Sequence, residues 1–586
     1  MAGVALQAAV VTPILVATFL TATGRWLPRV AIDALAMAAV LVSAGLLAWV
    51  LPGSRHPVVV WLGDWRPHDG EGVGIPLVGD PAGVGLALLV TVLALAALMF
   101  SWRFFAEVQA VFHALLLLFV GAMCAFTLTG DLFDAFVFFE LMSVVAYVLT
   151  GYKSEEPQSV HGALNFGVVN SIGAYLTLTG ISLLYAVTGE LGFAAIGRHL
   201  PDAHPALVVG GAALVMSGFL VKAAAVPFHF WLADAHAVAP TPVCLLFSGV
   251  MVELGVYAVA RLYWTTFAGV LPAPAVARTL ALFGTAAALL GAVMCLQQRH
   301  IKRLLAYSTV SHIGLLLTGV AVLDTDATAG AALYLAGHAG VKAALFLGAG
   351  ALLNRYETVD EGELHGRGRS MPLTGALFLL AGLGLAGLPP FGTWAGKAVI
   401  EHAAETHGWW WLTPVAVLSS ALTAGAVLRV WLRVFRGAGR PQPRPHEADR
   451  DDRETEKPLP RLPWTMTAPA LALVAGALLL GMIPPVVRGV TIAAGALTDP
   501  AGTGHAHLAA PPVWTAAGTA AGLLSAALAV GVAVLGTMGP RAPRATRPVV
   551  RRLRALHGGH LGDYVAWQVA GVALLGVMLA LPLAGR

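Results

Sequence analysis

Residues 206–226 read ALVVGGAALVMSGFLVKAAAV, twenty-one residues that carry one charge, Lys222, and stop at Pro227. An apolar run of about 20 residues, rising ~1.5 Å per residue as a helix, matches the ~30 Å hydrocarbon core of a bilayer. A lysine inside such a run is costly, so its presence points to function. Its ammonium gives up a proton when desolvated, which an arginine guanidinium does not. The stretch predicts a membrane helix carrying a group that gains and loses a proton.

Working outward, the same features recur. The chain has 586 residues, is 58% hydrophobic and only 11% charged, where soluble domains carry about 25% charged residues. Lysine is scarce, six against 29 arginines, and three of the six lie in apolar runs: Lys222, Lys342 and Lys397. Most of the arginines fall in loops. The net charge of +4 therefore does not indicate nucleic acid as a partner.

About sixteen spans are predicted, near 4–22, 30–51, 83–100, 109–129, 132–150, 162–187, 206–226, 241–264, 275–296, 304–323, 328–353, 372–403, 410–432, 466–487, 513–536 and 564–584. The fold class is an all-α polytopic membrane protein. Span twelve is interrupted at Gly387-Leu388-Pro389-Pro390 and span seven is followed by Pro227, so both are expected to be broken helices. Residues 228–239, just past that proline, are expected to lie at the membrane interface. The two breaks are five spans apart and run in opposite directions. That fits two inverted five-helix units. The domain organisation read from this pattern is 1–108 as N-terminal membrane helices, 109–264 and 275–435 as the two repeats, 436–463 as a mobile cytoplasmic loop, and 464–586 as C-terminal membrane helices.

Loops after odd-numbered spans hold 24 Lys/Arg, and loops after even-numbered spans hold six when Arg261 and Arg278 at the adjoining span ends are counted with them. The positive-inside rule then puts the odd-to-even loops in the cytoplasm of a bacterial-type inner membrane and both termini outside. Six arginines in 541–554 read as a topology anchor before the last span.

The ionisable residues within the spans include a series: Glu140, Lys222, Glu253, His312, His338, Lys342 and Lys397. Acids, amines and imidazoles together are the composition of a proton relay. A Lys–Glu pair in a medium of low dielectric redistributes its proton when its separation changes. His338 and Lys342 stand four residues apart and share a helix face. His312 is an accessory candidate, since a histidine satisfied by a backbone carbonyl is an equally ordinary arrangement. The bland reading, in which one buried charge locks two helices, weakens as the number of such groups grows.

Cys124, Cys244 and Cys295 form no cluster, and the histidines show no paired ligand spacing, so no cofactor or metal is expected. Gly382 to Gly387 formally match GxGxxG. They lie in an apolar span with no strand–helix unit, and are read as packing and hinge glycines.

Five stretches carry a family resemblance: FFELMS at 138–143, VKAAAVPFHFWLADAHAVAPTP at 221–242, LLAYSTVSHIG at 304–314, HAGVKAALFLG at 338–348 and GLPPFGTWAGK at 387–397. The chain resembles the antiporter-like proton-translocating subunits shared by respiratory complex I, Mrp-type cation/proton antiporters and membrane-bound group 4 hydrogenases. The likeness covers residues 80–435. It implies a core of fourteen spans with inverted repeats, extended here by about two. It also implies proton transfer through Glu140 and Lys222 and along spans eight, eleven and twelve to Lys397. The implied partners are the other membrane subunits of a hetero-oligomeric complex, with protons, and Na+ as a second candidate ion.

One position departs from the family. Glu253 stands where a lysine or histidine is common, which reverses the local charge and offers a partner for Lys222 or for a sodium ion. No long amphipathic helix is evident near the C-terminus. These two departures favour an Mrp-like or group 4 hydrogenase-like host over a proton-pumping subunit of NADH:quinone oxidoreductase. A different class, a quinone- or metal-binding redox subunit, lacks a cysteine cluster or cofactor fold to support it. A purely structural anchor would tolerate replacement of all the buried charges.

Overall fold

The computed structural model describes residues 1–67, 74–102, 110–441, 454, 459, 461–499, 513–538, 548 and 555–581. Apolar composition and the need to satisfy every backbone group inside lipid make these segments helices. They are α1 (Ala2–Thr23), α2 (Arg29–Val50), α3 (Pro81–Ser101), α4 (Ala110–Leu128), α5 (Leu132–Thr150), α6 (Pro157–Thr188), the short α7 (Phe193–His199), α8 (Pro205–Lys222), α9 (Phe230–Val238), α10 (Thr241–Leu246) and α11 (Val252–Leu262). There follow α12 (Ala273–Gln297), α13 (Ile301–Ala321), α14 (Thr325–Tyr356), α15 (Pro372–Leu385), α16 (Gly392–Thr406), α17 (Leu412–Arg436), α18 (Trp464–Leu480), α19 (Pro484–Thr498), α20 (Ala516–Met538) and α21 (Leu561–Ala580). A small antiparallel hairpin, β1 (Val58–Trp61) with β2 (Pro76–Gly79), lies between α2 and α3. Neither the hairpin nor α7 was legible as an element in the sequence.

Among the described residues, fourteen helices are long and apolar enough to cross a membrane, and a bent pair makes a fifteenth candidate. The protein is therefore a multi-pass membrane protein. The remaining expected span, the twelfth, is the α15–α16 pair, whose arms of 14 and 15 residues are each too short to cross alone. Most boundaries fall within a few residues of those expected. The fourteenth span differs more. It bends by 80° between α18 and α19, where Gly481 and Pro484 interrupt it, and α19 turns aside to pack on α14 and α3.

Aspartates cap several helix starts. Asp80 accepts from the Gly83 amide at 2.8 Å, Asp131 from the Asp134 amide at 2.8 Å, and Asp324 from the Asp326 amide at 2.8 Å. The innermost layer is α13, α14 and the Thr241–Phe267 span, all almost wholly buried by protein, whereas α1, α2, α20 and α21 leave much of their apolar surface open. An open apolar face is stable against lipid and carries no penalty there.

Both expected breaks are present. The helix of Lys222 ends there and resumes as α9 beyond Pro227. The stretch after Pro227, expected at the membrane interface, is packed against protein. Phe230, Trp231, Leu232, Ala235 and His236 are buried, and α9 packs on α6 and α13, because its apolar side chains find protein rather than headgroups. The second break separates α15 from α16. Gly387 sits at φ +77°, and a Cβ there would meet the Lys397 Nζ at 3.0 Å. Glycine is thus required both by the turn and by the buried amine beside it. At Gly396 the backbone of α14 comes so close that a Cβ would lie 2.2 Å from the Tyr334 nitrogen, which brings Lys397 and the polar face of α14 into one interior.

The expected mobile loop at 436–463 lies largely outside the described residues, as do all six arginines of 541–554. Glu454 is an exception. Its carboxylate accepts from the Lys302 Nζ at 2.6 Å and from the Thr241 amide at 2.8 Å, pinning that residue of the loop to the start of α10.

Candidate functional site

The first polar cluster is built by α5 and α8. Ser143 follows Glu140 by less than one helical turn, and the last residue of α8 is Lys222. The Lys222 Nζ donates to Ser143 Oγ at 2.6 Å and lies 4.6 Å from the centroid of the Phe139 ring. Glu140 is half-buried, acts on Lys222 electrostatically, and leaves Oε1 without a hydrogen-bond partner among the described residues. An amine here is held by a neutral hydroxyl and an aromatic face, with its counter-charge at a distance. That arrangement does not lock the amine into a direct ion pair.

The second cluster is denser and lies where α11, α13, α14, α16 and α17 meet. Glu253 on α11 and His338 on α14 meet across a 2.5 Å contact between Oε1 and Nδ1. The His338 ring stacks on that of His312, with centroids 5.1 Å apart. His312 bonds through Nδ1 to the Tyr334 hydroxyl and through Nε2 to Thr423 Oγ1 at 3.1 Å. The Lys342 Nζ donates to the Leu305 carbonyl at 2.6 Å and to Ser308 Oγ, and Glu253 is within its electrostatic reach. Lys397 Nζ has no hydrogen-bond partner among the described residues and acts electrostatically on both His312 and Glu401. Every one of these side chains is buried.

The span that carries Glu253 is not a regular helix. A π-helical turn at Phe247–Met251 widens it one turn before the carboxylate, and a second lies at Tyr263–Phe267. Such turns free backbone groups and re-aim the side chains next to them. Ser248, inside the first turn, pairs its hydroxyl with that of Thr309 on α13. Because α11 packs on both α8 and α13, it stands between the two clusters.

Of the residues singled out by sequence, the structure gathers Glu253, His312, His338, Lys342 and Lys397 into one interior and sets Glu140 and Lys222 in a separate one. Glu253 does not pair with Lys222. Its partner is His338, since α14 rather than α8 faces that side of α11. Sequence reasoning missed Tyr334, Glu401, His236 and Ser143. Spacing already signalled two of them. Tyr334, His338 and Lys342 lie four residues apart along one face of α14, and Glu401 lies four residues after Lys397. Only the fold identifies His236, buried between the rings of Phe247 and Phe346, and Ser143, brought to Lys222 across 79 residues of chain.

Other buried charges act as braces. Asp80 meets Arg261 at 2.5 Å. Glu361 accepts from Arg429 at 2.9 Å and pairs with Arg433 at 3.2 Å. Asp33 meets His113 at 2.8 Å. Such pairs tie neighbouring helices and loops together, charge against charge. Among the described residues no group of three His, Cys, Asp or Glu is placed to hold a metal ion.

A bundle of membrane helices with two breaks and a buried file of acids, imidazoles and amines defines a membrane protein of the ion-translocating class. The chain belongs to the family described as NADH:quinone oxidoreductase/Mrp antiporter, whose membrane region matches residues 129–423. It is 30% identical over 80% of its length to NADH-quinone oxidoreductase subunit N of Desulforudis audaxviator (strain MP104C), covering 94% of that protein. It is 28% identical over 66% of its length to a Na(+)/H(+) antiporter subunit of Bacillus subtilis (strain 168), covering 77% of that protein. Among solved structures it is similar to a chain of the Mrp complex from Dietzia sp. DQ12-45-1b. There the TM-score is 0.75 at 28% identity, covering 85% of this chain and 97% of that one.

Proposed function

We propose that this chain is the proton-conducting subunit of a multisubunit membrane complex, moving protons, alone or in exchange for a cation, through the bundle. The observation that carries this is the buried file in which Glu253 contacts His338 at 2.5 Å and His338 stacks on His312, with Lys342 and Lys397 at either side. A protein with only a structural use for these helices has no reason to desolvate so many ionisable groups around unpaired atoms. Lys222 takes up the proton under the influence of Glu140. Charge on Lys222 acts across α11 on the Glu253–His338 pair and Lys342, and Lys397 is the way out. The breaks after Lys222 and before Lys397 support treating 109–264 and 275–435 as inverted units, each with one broken helix at its site.

Relatives from both Mrp antiporters and quinone oxidoreductases leave two hosts. The Mrp complex chain matches with a TM-score of 0.75, against 0.64 for respiratory complex I from Thermus thermophilus. With Glu253 in place of a basic residue, this supports an Mrp-like or group 4 hydrogenase-like host. The Lys/Arg asymmetry between alternate loops supports a bacterial-type inner membrane with both termini outside. A complex I pump is the second reading, supported by the match to the Desulforudis audaxviator protein.

The test is proton flux in inverted membrane vesicles containing the whole complex. Lys222→Ala and Glu140→Ala are expected to abolish flux while the chain still inserts and copurifies with its partners. Unchanged flux in both variants removes the relay. The proteins that copurify in mild detergent then separate the hosts.

A further inference from the structure

We infer that α16 carries the release arm of the relay beyond Lys397, formed by Glu401 and Glu405. This rests on the proton-conducting reading above. Lys397, Glu401 and Glu405 stand at i, i+4 and i+8, so they form one stripe along the helix, rising ~12 Å from first to last. Their exposure is graded: Lys397 is 2% exposed, Glu401 is 3%, and Glu405 is exposed. The helix ends at Thr406, and Trp409, Trp410 and Trp411 follow at once, a cluster of the kind that marks a membrane surface. That surface is opposite the arginine-bearing segment of Arg367 and Arg369 from which α15 sets out. The stripe therefore leads from the centre of the bundle to the side away from the positive loops.

Two further observations point to proton transfer rather than bracing. Neither carboxylate oxygen of Glu401 has a hydrogen-bond partner among the described residues, and neither does Lys397 Nζ, although the two groups act on each other electrostatically. The Glu361 pair with Arg429, by contrast, is hydrogen-bonded directly through Glu361 Oε2. Tyr334, which bonds to His312, is also within electrostatic reach of Glu401, so the stripe joins the dense cluster from two directions. In the transfer, the Lys397 ammonium loses a proton and becomes a neutral amine. The Glu401 carboxylate gains it and becomes a carboxylic acid. The acid then gives that proton to Glu405 or directly to water at the surface, and the carboxylate is restored. No electron moves.

The experiment compares Glu401→Gln, Glu401→Asp and Glu405→Gln with Lys222→Ala in vesicles containing the assembled complex, with copurification of partners as the control for folding. Glu401→Gln is expected to lower flux at least about tenfold, since an amide cannot carry the proton. Glu401→Asp is expected to restore flux to within about threefold, because it keeps the acid, and Glu405→Gln to cost about two- to threefold, because water substitutes for it at the surface. Flux within about twofold of the unmodified protein in Glu401→Gln overturns the proposal, and so does a loss that aspartate fails to restore. If Lys222→Ala abolishes flux while Glu401→Gln does not, the release arm alone fails. If Lys222→Ala also leaves flux intact, the relay itself fails.

Discussion

The two polar interiors are built differently. Around Lys222 there is one amine, one hydroxyl at 2.6 Å and one aromatic ring, with Glu140 acting from the half-buried rim. Around His338 there are five ionisable side chains from four helices, linked by a 2.5 Å carboxylate–imidazole contact, a ring stack and two hydrogen bonds to His312. The first site resembles a switch, with one proton and one position to hold it. The second resembles a wire, in which a proton has several neighbouring sites of similar chemistry. In a low-dielectric interior the sparse site responds strongly to a distant charge, while the dense one spreads that charge over its members.

That contrast predicts unequal sensitivity to single deletions. Lys222→Ala removes the only amine of the sparse site and is expected to lower flux by about 100-fold or more, measured by dye quenching in vesicles. Glu253→Gln in the dense site is expected to cost less, about tenfold, because His338, His312 and Lys342 remain. An equal loss in the two variants would break the distinction between switch and wire. Tyr334→Phe removes one of two partners of His312 and is expected to reduce flux about fivefold, consistent with losing one hydrogen bond of about 1 kcal/mol. Thr423→Val removes the other, longer bond at 3.1 Å and is expected to cost about twofold. Reversal of the order of these last two would relocate the proton path to the Thr423 side of His312. Combining Tyr334→Phe with Thr423→Val sharpens the comparison. A loss larger than the product of the singles is the mark of a shared network.

The series Glu140, Lys222, Glu253, His338, Lys342 and Lys397 was legible because an ionisable residue in an apolar run has no other cheap explanation. Glu401 was overlooked although it lies one turn from Lys397. Its run, Ile400-Glu401-His402, sits close to the end of the span, where charge looks ordinary. The bend between α18 and α19 was overlooked because Gly and Pro near a span end read as termination rather than as a turn inside the bundle. The partner of Glu253 was out of reach, since a sequence orders residues along a helix but not helices around one another.

By itself the sequence determined that this chain is a many-span membrane protein. It also determined that its apolar helices carry acids, amines and imidazoles, and that two of those helices break beside a lysine. These follow from local rules: hydropathy over about 20 residues, the missing amide of proline and the cost of a charge in lipid. The tertiary structure alone decided which groups meet. Close approach at Gly396, the widened turn before Glu253 and the packing of α11 between α8 and α13 divide the ionisable residues into a sparse site and a dense one. The physical reason is range. Helix formation and burial are set within a few turns of chain, whereas proton exchange depends on contacts of about 3 Å between residues tens to hundreds of positions apart.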